Sequence, residues 1–240
     1  MNIIITENYE SMSKKASNFL FDLIENKNAK NFILASGSTP TLTYDLLTKE
    51  IINKNIKYND MKIVILDEWY GLDKNDEGSC YKYFKTNIFS KLPNIEDNNY
   101  IWNGIAEDID KECQRMKQAV DSIDIDVCVL GIGINGHIGF NEPDDFLSPF
   151  PHKILLTKES LSHDMIKKSN KDIKFGITLG IKDLLKAKKI LLLASGASKS
   201  EAVKNFMQGK ITSKYPASFL WLHDDLTVIT DKEAYDSSEK

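Results

Sequence analysis

The sequence has no strong excess of charge, no long apolar run and few cysteines, and each absence removes a class of protein. Its 31 basic and 35 acidic side chains leave a net charge of −4, with lysines and acids alternating as on solvated helix faces, so no basic surface for nucleic acid is expected. No apolar stretch reaches the length that crosses a bilayer, which argues against a membrane partner. Met1 to Thr6 is apolar but carries no basic leader or small-residue cleavage pattern, so a cytoplasmic location is expected. The three cysteines, Cys80, Cys113 and Cys128, are odd in number and lack metal-ligand spacing; they read as reduced thiols. Internal repeats, heptads, low-complexity blocks and linkers are also missing. At 240 residues, 42% hydrophobic and 28% charged, the chain is expected to form one α/β domain over 1–240.

What the sequence does contain is an alternation of strand and helix patterns. Extended apolar pieces are predicted at Asn2 to Thr6, Asn31 to Ala35, Met61 to Leu66, Asp126 to Leu130, Lys153 to Leu156, Lys189 to Ala194, Ala217 to Leu222 and Leu226 to Ile229. Helical spacing is predicted from Tyr9 to Ile24, from Leu42 onward, over Tyr81 to Leu92, from Ile109 to Ile123 and around Ala202 to Met207. Gly176 to Gly180 with Ile181 to Leu185 reads as a turn and helix, Asp144 to Pro151 as a loop at the mouth of a site, and Asp231 to Lys240 as a polar tail. The order predicts a three-layer fold: a mainly parallel, doubly wound, Rossmann-like sheet with helices on both faces.

Four stretches can carry chemistry. Gly131 to Pro143 follows a predicted core strand, and its glycines let the backbone turn sharply and approach a ligand while presenting His137 and Glu142. The dinucleotide-type spacing Gly131-x-Gly133-x-x-Gly136 is weak, because Asn141-Glu142-Pro143 interrupts where a long helix should continue. Ser36-Gly37-Ser38-Thr39-Pro40 joins a strand to a helix start, where unpaired N–H groups and hydroxyls suit a phosphate or simply cap the helix. Asp67 and Glu68 stand where a strand ends, and either can serve as a proton-transfer base or cap the following turn. Ser195 to Lys199 repeats the strand, small-residue loop, helix arrangement, with the lysine as a point charge for a phosphate or as a solvated side chain.

With these motifs together, the chain resembles the glucosamine-6-phosphate deaminase and 6-phosphogluconolactonase family over nearly its whole length. Asn135-Gly-His-Ile-Gly-Phe-Asn-Glu-Pro143 is the most specific part of the resemblance. Asp67-Glu68-Trp69, Gly176 to Leu185 and Pro216 to His223 look most like the galactosamine-6-phosphate deaminase/isomerase branch; the glucosamine enzymes more usually have tyrosine where Trp69 stands. The resemblance implies an aldose–ketose isomerisation of an amino-sugar 6-phosphate with loss of ammonia and without a metal or organic cofactor. Galactosamine 6-phosphate giving tagatose 6-phosphate is the leading expectation, and glucosamine 6-phosphate giving fructose 6-phosphate the alternative. In this reading His137, tuned by Glu142, opens the sugar ring, and Asp67 moves a proton from C2 to C1. Ser36, Gly37, Ser38, Thr39 and Lys199 hold the phosphate, with Gly131 and Gly139 lining the substrate.

Two departures from the family pattern change the expectations. Asn135 stands where the allosteric glucosamine enzymes have an aspartate, so the relay rests on Glu142. Asp144 to Lys168 contains no arginine, where those enzymes use one for the substrate phosphate; Lys167 or Lys168 is the candidate substitute. The expected consequence is no activation by a hexosamine phosphate, and a simpler homo-oligomer or a monomer. Two competing readings are a phosphosugar lactonase, opposed by Asn141-Glu142-Pro143 with Asp67-Glu68, and a sugar-phosphate sensor, opposed because no basic DNA-binding module precedes the first strand.

Overall fold

The computed structural model describes residues 1–95 and 98–236. Along the chain, β1 (Asn2–Thr6) and α1 (Tyr9–Lys27) lead to β2 (Asn31–Leu34), α2 (Ser38–Asn53), β3 (Lys62–Ile65) and β4 (Asp67–Tyr70). Then come α3 (Cys80–Phe84), a π-helical turn over Lys85–Phe89, α4 (Ile109–Asp121), β5 (Val127–Gly131), β6 (His152–Leu155), α5 (Lys158–Leu161) and α6 (Asp164–Lys167). The order closes with β7 (Phe175–Thr178), α7 (Ile181–Leu184), β8 (Lys189–Ala194), α8 (Ser200–Met207), β9 (Leu226–Asp231) and α9 (Lys232–Asp236).

Local sequence explains why these elements form. In α1, Asn8 and Ser11 make a reciprocal cap, Met12, Ala16, Leu20, Leu23 and Ile24 bury one stripe, and Asn28 ends the helix in the left-handed region. The central strands are apolar at every position because both faces are covered, as in Val127 to Leu130 and Ile190 to Ala194. They build a parallel sheet in the order β1-β9-β8-β5-β2-β3, with Leu34 opposite both Ile65 and Val129. With right-handed crossovers, the connections through α1 and α2 fall on one face and those through α4, α7 and α8 on the other. The chain leaves β2 toward β3 but leaves β5 toward β8. That reversal makes a crevice at the carboxyl ends of β2 and β5, where open α/β sheets bind ligands.

The structure departs from the sequence reading in four places. Asp67 does not end the third strand but begins β4, which pairs antiparallel with β7 in a second sheet of order β4-β7-β6. Leu66 joins the sheets: its N–H donates to the Leu34 carbonyl, and its own carbonyl accepts from Leu179. Phe175–Thr178 is a strand where a turn is expected from the glycines. Pro216–Leu222 is a 3-10 helix with proline in its first turn, where a strand is expected. Asp231 belongs to β9, and the expected polar tail begins as α9; its residues 237–240 lie outside the described residues. Among the described residues, no helix is long and apolar enough to cross a membrane.

Candidate active site

The crevice at the sheet's switch point is lined by Ser36, Gly37, Ser38 and Thr39 after β2, by Gly131 after β5, and by Asp67, His137, Gly139 and Lys199. These are the residues predicted for it, apart from Asn135 and Glu142, which stand behind His137. Gly37 is the N-cap of α2 and has φ +109, so no side chain caps this helix, and a residue with a Cβ would be strained there. An uncapped helix start leaves N–H groups and the positive end of the dipole for an anion. The Ser36 hydroxyl is directed elsewhere, donating to Cys80 Sγ at 3.3 Å. At Gly131 an added Cβ would meet nothing within 4 Å and would project into the cleft.

The adjacent carboxylates Asp67 and Glu68 divide the two uses that the sequence leaves open. Glu68 accepts amide N–H groups from Trp69, Cys80 and Tyr81 at 2.8–2.9 Å, which ties β4 to the start of α3. It is the structural carboxylate. Asp67 is also buried but faces the cleft, and its Oδ1 lies 3.8 Å from Cys80 Sγ. Burial, then the neighbouring Glu68 charge, push the Asp67 pKa up to about 7, against the thiol's donation. Burial also pushes Glu68 up to about 7, against the three amide N–H groups that favour its anion. A carboxylate poised there is matched to proton transfer at neutral pH.

His137 lies over Gly133: a Cβ on that glycine would stand 2.5 Å from three ring atoms, so only glycine admits the imidazole. The loop is closed by Gly133 N–H donating to the His137 carbonyl at 2.9 Å. Nδ1 of the ring is 3.4 Å from Glu142 Oε2. A carboxylate at Nδ1 keeps the proton on that nitrogen and leaves Nε2 as the acceptor. Glu142 is almost wholly buried and receives Asn135 Nδ2 at 3.1 Å, Thr157 Oγ1 at 3.2 Å and the Ser160 hydroxyl. Burial pushes its carboxyl up, but His137, Ser160 and Asn135 together hold it below the usual range. Asn135 therefore acts on the carboxylate, and its Oδ1 accepts the His137 backbone N–H at 3.1 Å.

Ser160, with its hydroxyl also 3.3 Å from His137 Nδ1, was not legible as a site residue, and neither was His163 on the cleft wall. The available signal was Thr157, whose hydroxyl caps α5 and accepts from Ser160 N–H at 3.4 Å. That pattern locates a helix start but gives no hint that Ser160 meets Glu142, 18 residues before it.

On the third loop, Lys199 is half-buried, and burial lowers its pKa, a condition an anion would relieve. Its loop is fastened by Asp231, which accepts from the Ser195 hydroxyl, Gly196 N–H at 3.0 Å and Ala234 N–H at 2.9 Å. Of the two candidate lysines on this segment, Lys167 is paired with Asp164 at 2.8 Å, whereas Lys168 borders a hollow shared with Gly37, Ser38 and Lys199. The chain's one arginine, Arg115, is held by Glu112 on α4. The Asp144 to Pro151 loop is not at the cleft mouth as expected: part of it lines a separate hollow with Asn141 and Glu142. Asn141 turns the chain that way by donating to the carbonyls of Ile138 and Leu179 at 2.9 Å. Among the described residues, no group of three or more His, Cys, Asp or Glu side chains is placed to hold a metal ion.

These features define an open-sheet α/β protein with a cleft at its switch point lined by Asp67, His137 and Lys199. Residues 6–229 match the family described as glucosamine-6-phosphate isomerases/6-phosphogluconolactonase, and the chain belongs to that family. Glucosamine-6-phosphate deaminases of Thermoanaerobacter sp. (strain X514) and Clostridium novyi (strain NT) are each 40% identical to it over 237 and 238 residues, covering 98% of this chain and 94% and 98% of theirs. The solved structure of a monomeric glucosamine-6-phosphate deaminase superposes with a TM-score of 0.91 at 37% identity, covering 98% of both chains. A 6-phosphogluconolactonase from Trypanosoma brucei, 18% identical with a TM-score of 0.77 and 98% of both chains covered, shares the fold.

Proposed function

We propose that this single-domain chain is a hexosamine-6-phosphate deaminase/isomerase and that glucosamine 6-phosphate, giving fructose 6-phosphate and ammonia, is its substrate. The observation that carries the reading is one cleft holding a neutral-range base, Asp67, a histidine–carboxylate pair and two loops suited to phosphate. The named relatives support glucosamine over the galactosamine sugar that the passages around Trp69 favoured.

The phosphate sits at the α2 start and Lys199, fixing a flexible open-chain sugar so that C2 lies against Asp67. His137 Nε2 takes the proton of the anomeric hydroxyl and returns one to the ring oxygen, while Glu142 steadies the transient imidazolium. Asp67 then removes the C2 proton and delivers it to C1, passing through an enolamine. The resulting C2 imine adds water and expels ammonia, so one hexosamine phosphate and one water give one ketose phosphate and one ammonia. These steps call on side-chain acids and bases and on no cofactor. A cytoplasmic location and a monomeric or simple homo-oligomeric state belong to the same proposal.

The test is to supply the purified protein separately with glucosamine 6-phosphate and galactosamine 6-phosphate and to measure ammonia and ketose phosphate together. Equimolar release from the glucosamine sugar is expected. Release from neither sugar overturns the reading, and faster turnover of the galactosamine sugar restores the other epimer.

A further inference from the structure

The His163 imidazole stands against the α2 loop with its proton position set by the backbone. Its Nδ1 accepts the Met165 amide N–H at 3.2 Å, so the neutral ring carries its hydrogen on Nε2. Nε2 and Cε1 are the ring atoms turned toward the loop: a Cβ on Gly37 would meet them at 3.7 and 3.9 Å. On another side the ring approaches Trp69, with centroids 6.3 Å apart and planes inclined by 40°. His163 borders the cleft together with Ser38, Thr39 and Lys199. It thus points an N–H group into the corner where the helix start and the lysine already favour an anion.

The charged groups around the ring are Lys199 and Lys167 on the positive side and Asp164 on the negative side, with the His137 imidazole as a further titratable neighbour. Partial burial first, then the Lys199 charge, lower the His163 pKa. The Met165 N–H aimed at Nδ1 works in the same direction, because a second ring proton would meet a donor there.

We propose that His163 is a phosphate-recognition residue that donates its Nε2–H, as an uncharged imidazole, to a phosphate oxygen of the substrate. The proposal rests on the sugar-phosphate reading of the cleft. A neutral donor complements Lys199: the lysine supplies charge, and the imidazole supplies direction without having to gain a proton. Because the donor stays in place as the phosphate passes between its singly and doubly charged forms, the contribution of His163 is independent of pH near neutrality.

His163→Phe keeps a flat ring against Trp69 and removes the N–H, while His163→Gln retains an amide donor near the Nε2 position. With the full chain, the dissociation constant for inorganic phosphate, measured by calorimetry, and KM for glucosamine 6-phosphate are both expected to rise about 10- to 100-fold in the Phe variant, as for a hydrogen bond to a charged group. The loss should fall on KM more than on kcat, Gln should recover most of it, and the ratio to the parent protein should stay level from pH 6 to 8. Unchanged phosphate affinity in the Phe variant, at an unchanged melting temperature, overturns the proposal. So does a ratio that collapses as pH rises, which would mark a cationic imidazole, or a Gln variant as weak as Phe. Should the protein release no ammonia from either sugar, the phosphate titration still decides: weakening in the Phe variant sustains the assignment while the deaminase reading falls. A parent protein that binds no phosphate overturns both.

Discussion

The Asp67 carboxylate and the Cys80 thiol lie 3.8 Å apart, and the same sulfur accepts the Ser36 hydroxyl at 3.3 Å. One sulfur atom thus connects the loop proposed for phosphate to the proposed base. Burial and the two neighbouring carboxylates push the Cys80 thiol well above its ordinary pKa, so it remains protonated and serves as a donor. It donates to the charged form of Asp67 and opposes the upward push of burial and Glu68.

The first prediction concerns this donor. Asp67 must be ionised to accept the C2 proton, so kcat/KM should rise with pH through about 7. Cys80→Ala removes the S–H and should move that rising limb to higher pH, whereas Cys80→Ser should move it less. Initial-rate profiles from pH 5.5 to 9 check this; an unmoved limb in the Ala variant would show that the thiol does not tune the base.

The second prediction sets activity against stability at Asp67. Asp67→Asn should lower turnover by about 100- to 10,000-fold. Because its folded pKa lies near 7 and an unfolded aspartate's near 3.9, the folded state holds the extra proton between those values, and stability declines as pH rises through that window. The asparagine has no such proton, so the melting temperature of the variant should gain on the parent protein as pH rises from about 4 to 8. Parallel melting curves across that range would contradict the raised pKa.

Much of this architecture was legible because most main-sheet strands hold a continuous apolar run, as in Phe32 to Leu34, Val127 to Leu130 and Ile190 to Ala194, and each long helix a periodic stripe. The exceptions have physical reasons. Gly176 looks like turn punctuation, yet a Cβ there would lie 2.5 Å from the Phe140 ring, so the glycine permits close packing within a strand. Pro216 to Leu222 is apolar enough for a strand, and the proline at its head was the signal for a helical turn. Asp231 reads as the start of a polar tail because nothing local shows that its carboxylate is buried against Ser195 and Gly196. The cleft loops were visible as local motifs, whereas Glu68's hold on α3 and Ser160's on Glu142 depend on partners that only folding brings together.

The third prediction tests the relay. Glu142→Gln keeps a polar group among Ser160, Asn135 and Thr157 but removes the charge facing His137 Nδ1. Turnover of the cyclic sugar should fall about 10- to 100-fold. A 4,5-dideoxy analogue, which can close neither a pyranose nor a furanose ring, should lose much less, because the relay serves ring opening. Equal losses on both substrates would remove that role from the pair.

The fourth prediction concerns the backbone that presents His137. Gly136 has φ +83, and a Cβ there would lie 2.2 Å from the Tyr215 ring. The ring has little freedom to retreat, since the Tyr215 hydroxyl donates to the Ala202 carbonyl, and the Gly136 carbonyl accepts Ala217 N–H at 2.8 Å. Gly136→Ala combines left-handed strain with overpacking and should destabilise the fold by about 2–4 kcal/mol. For a chain of this size that lowers the melting temperature by roughly 5–15 °C. Gly136→Ala with Tyr215→Ala relieves the clash but not the strain, so the double variant should lose less than the sum of the single losses. Strict additivity in thermal unfolding would show that the ring is not what requires glycine at 136.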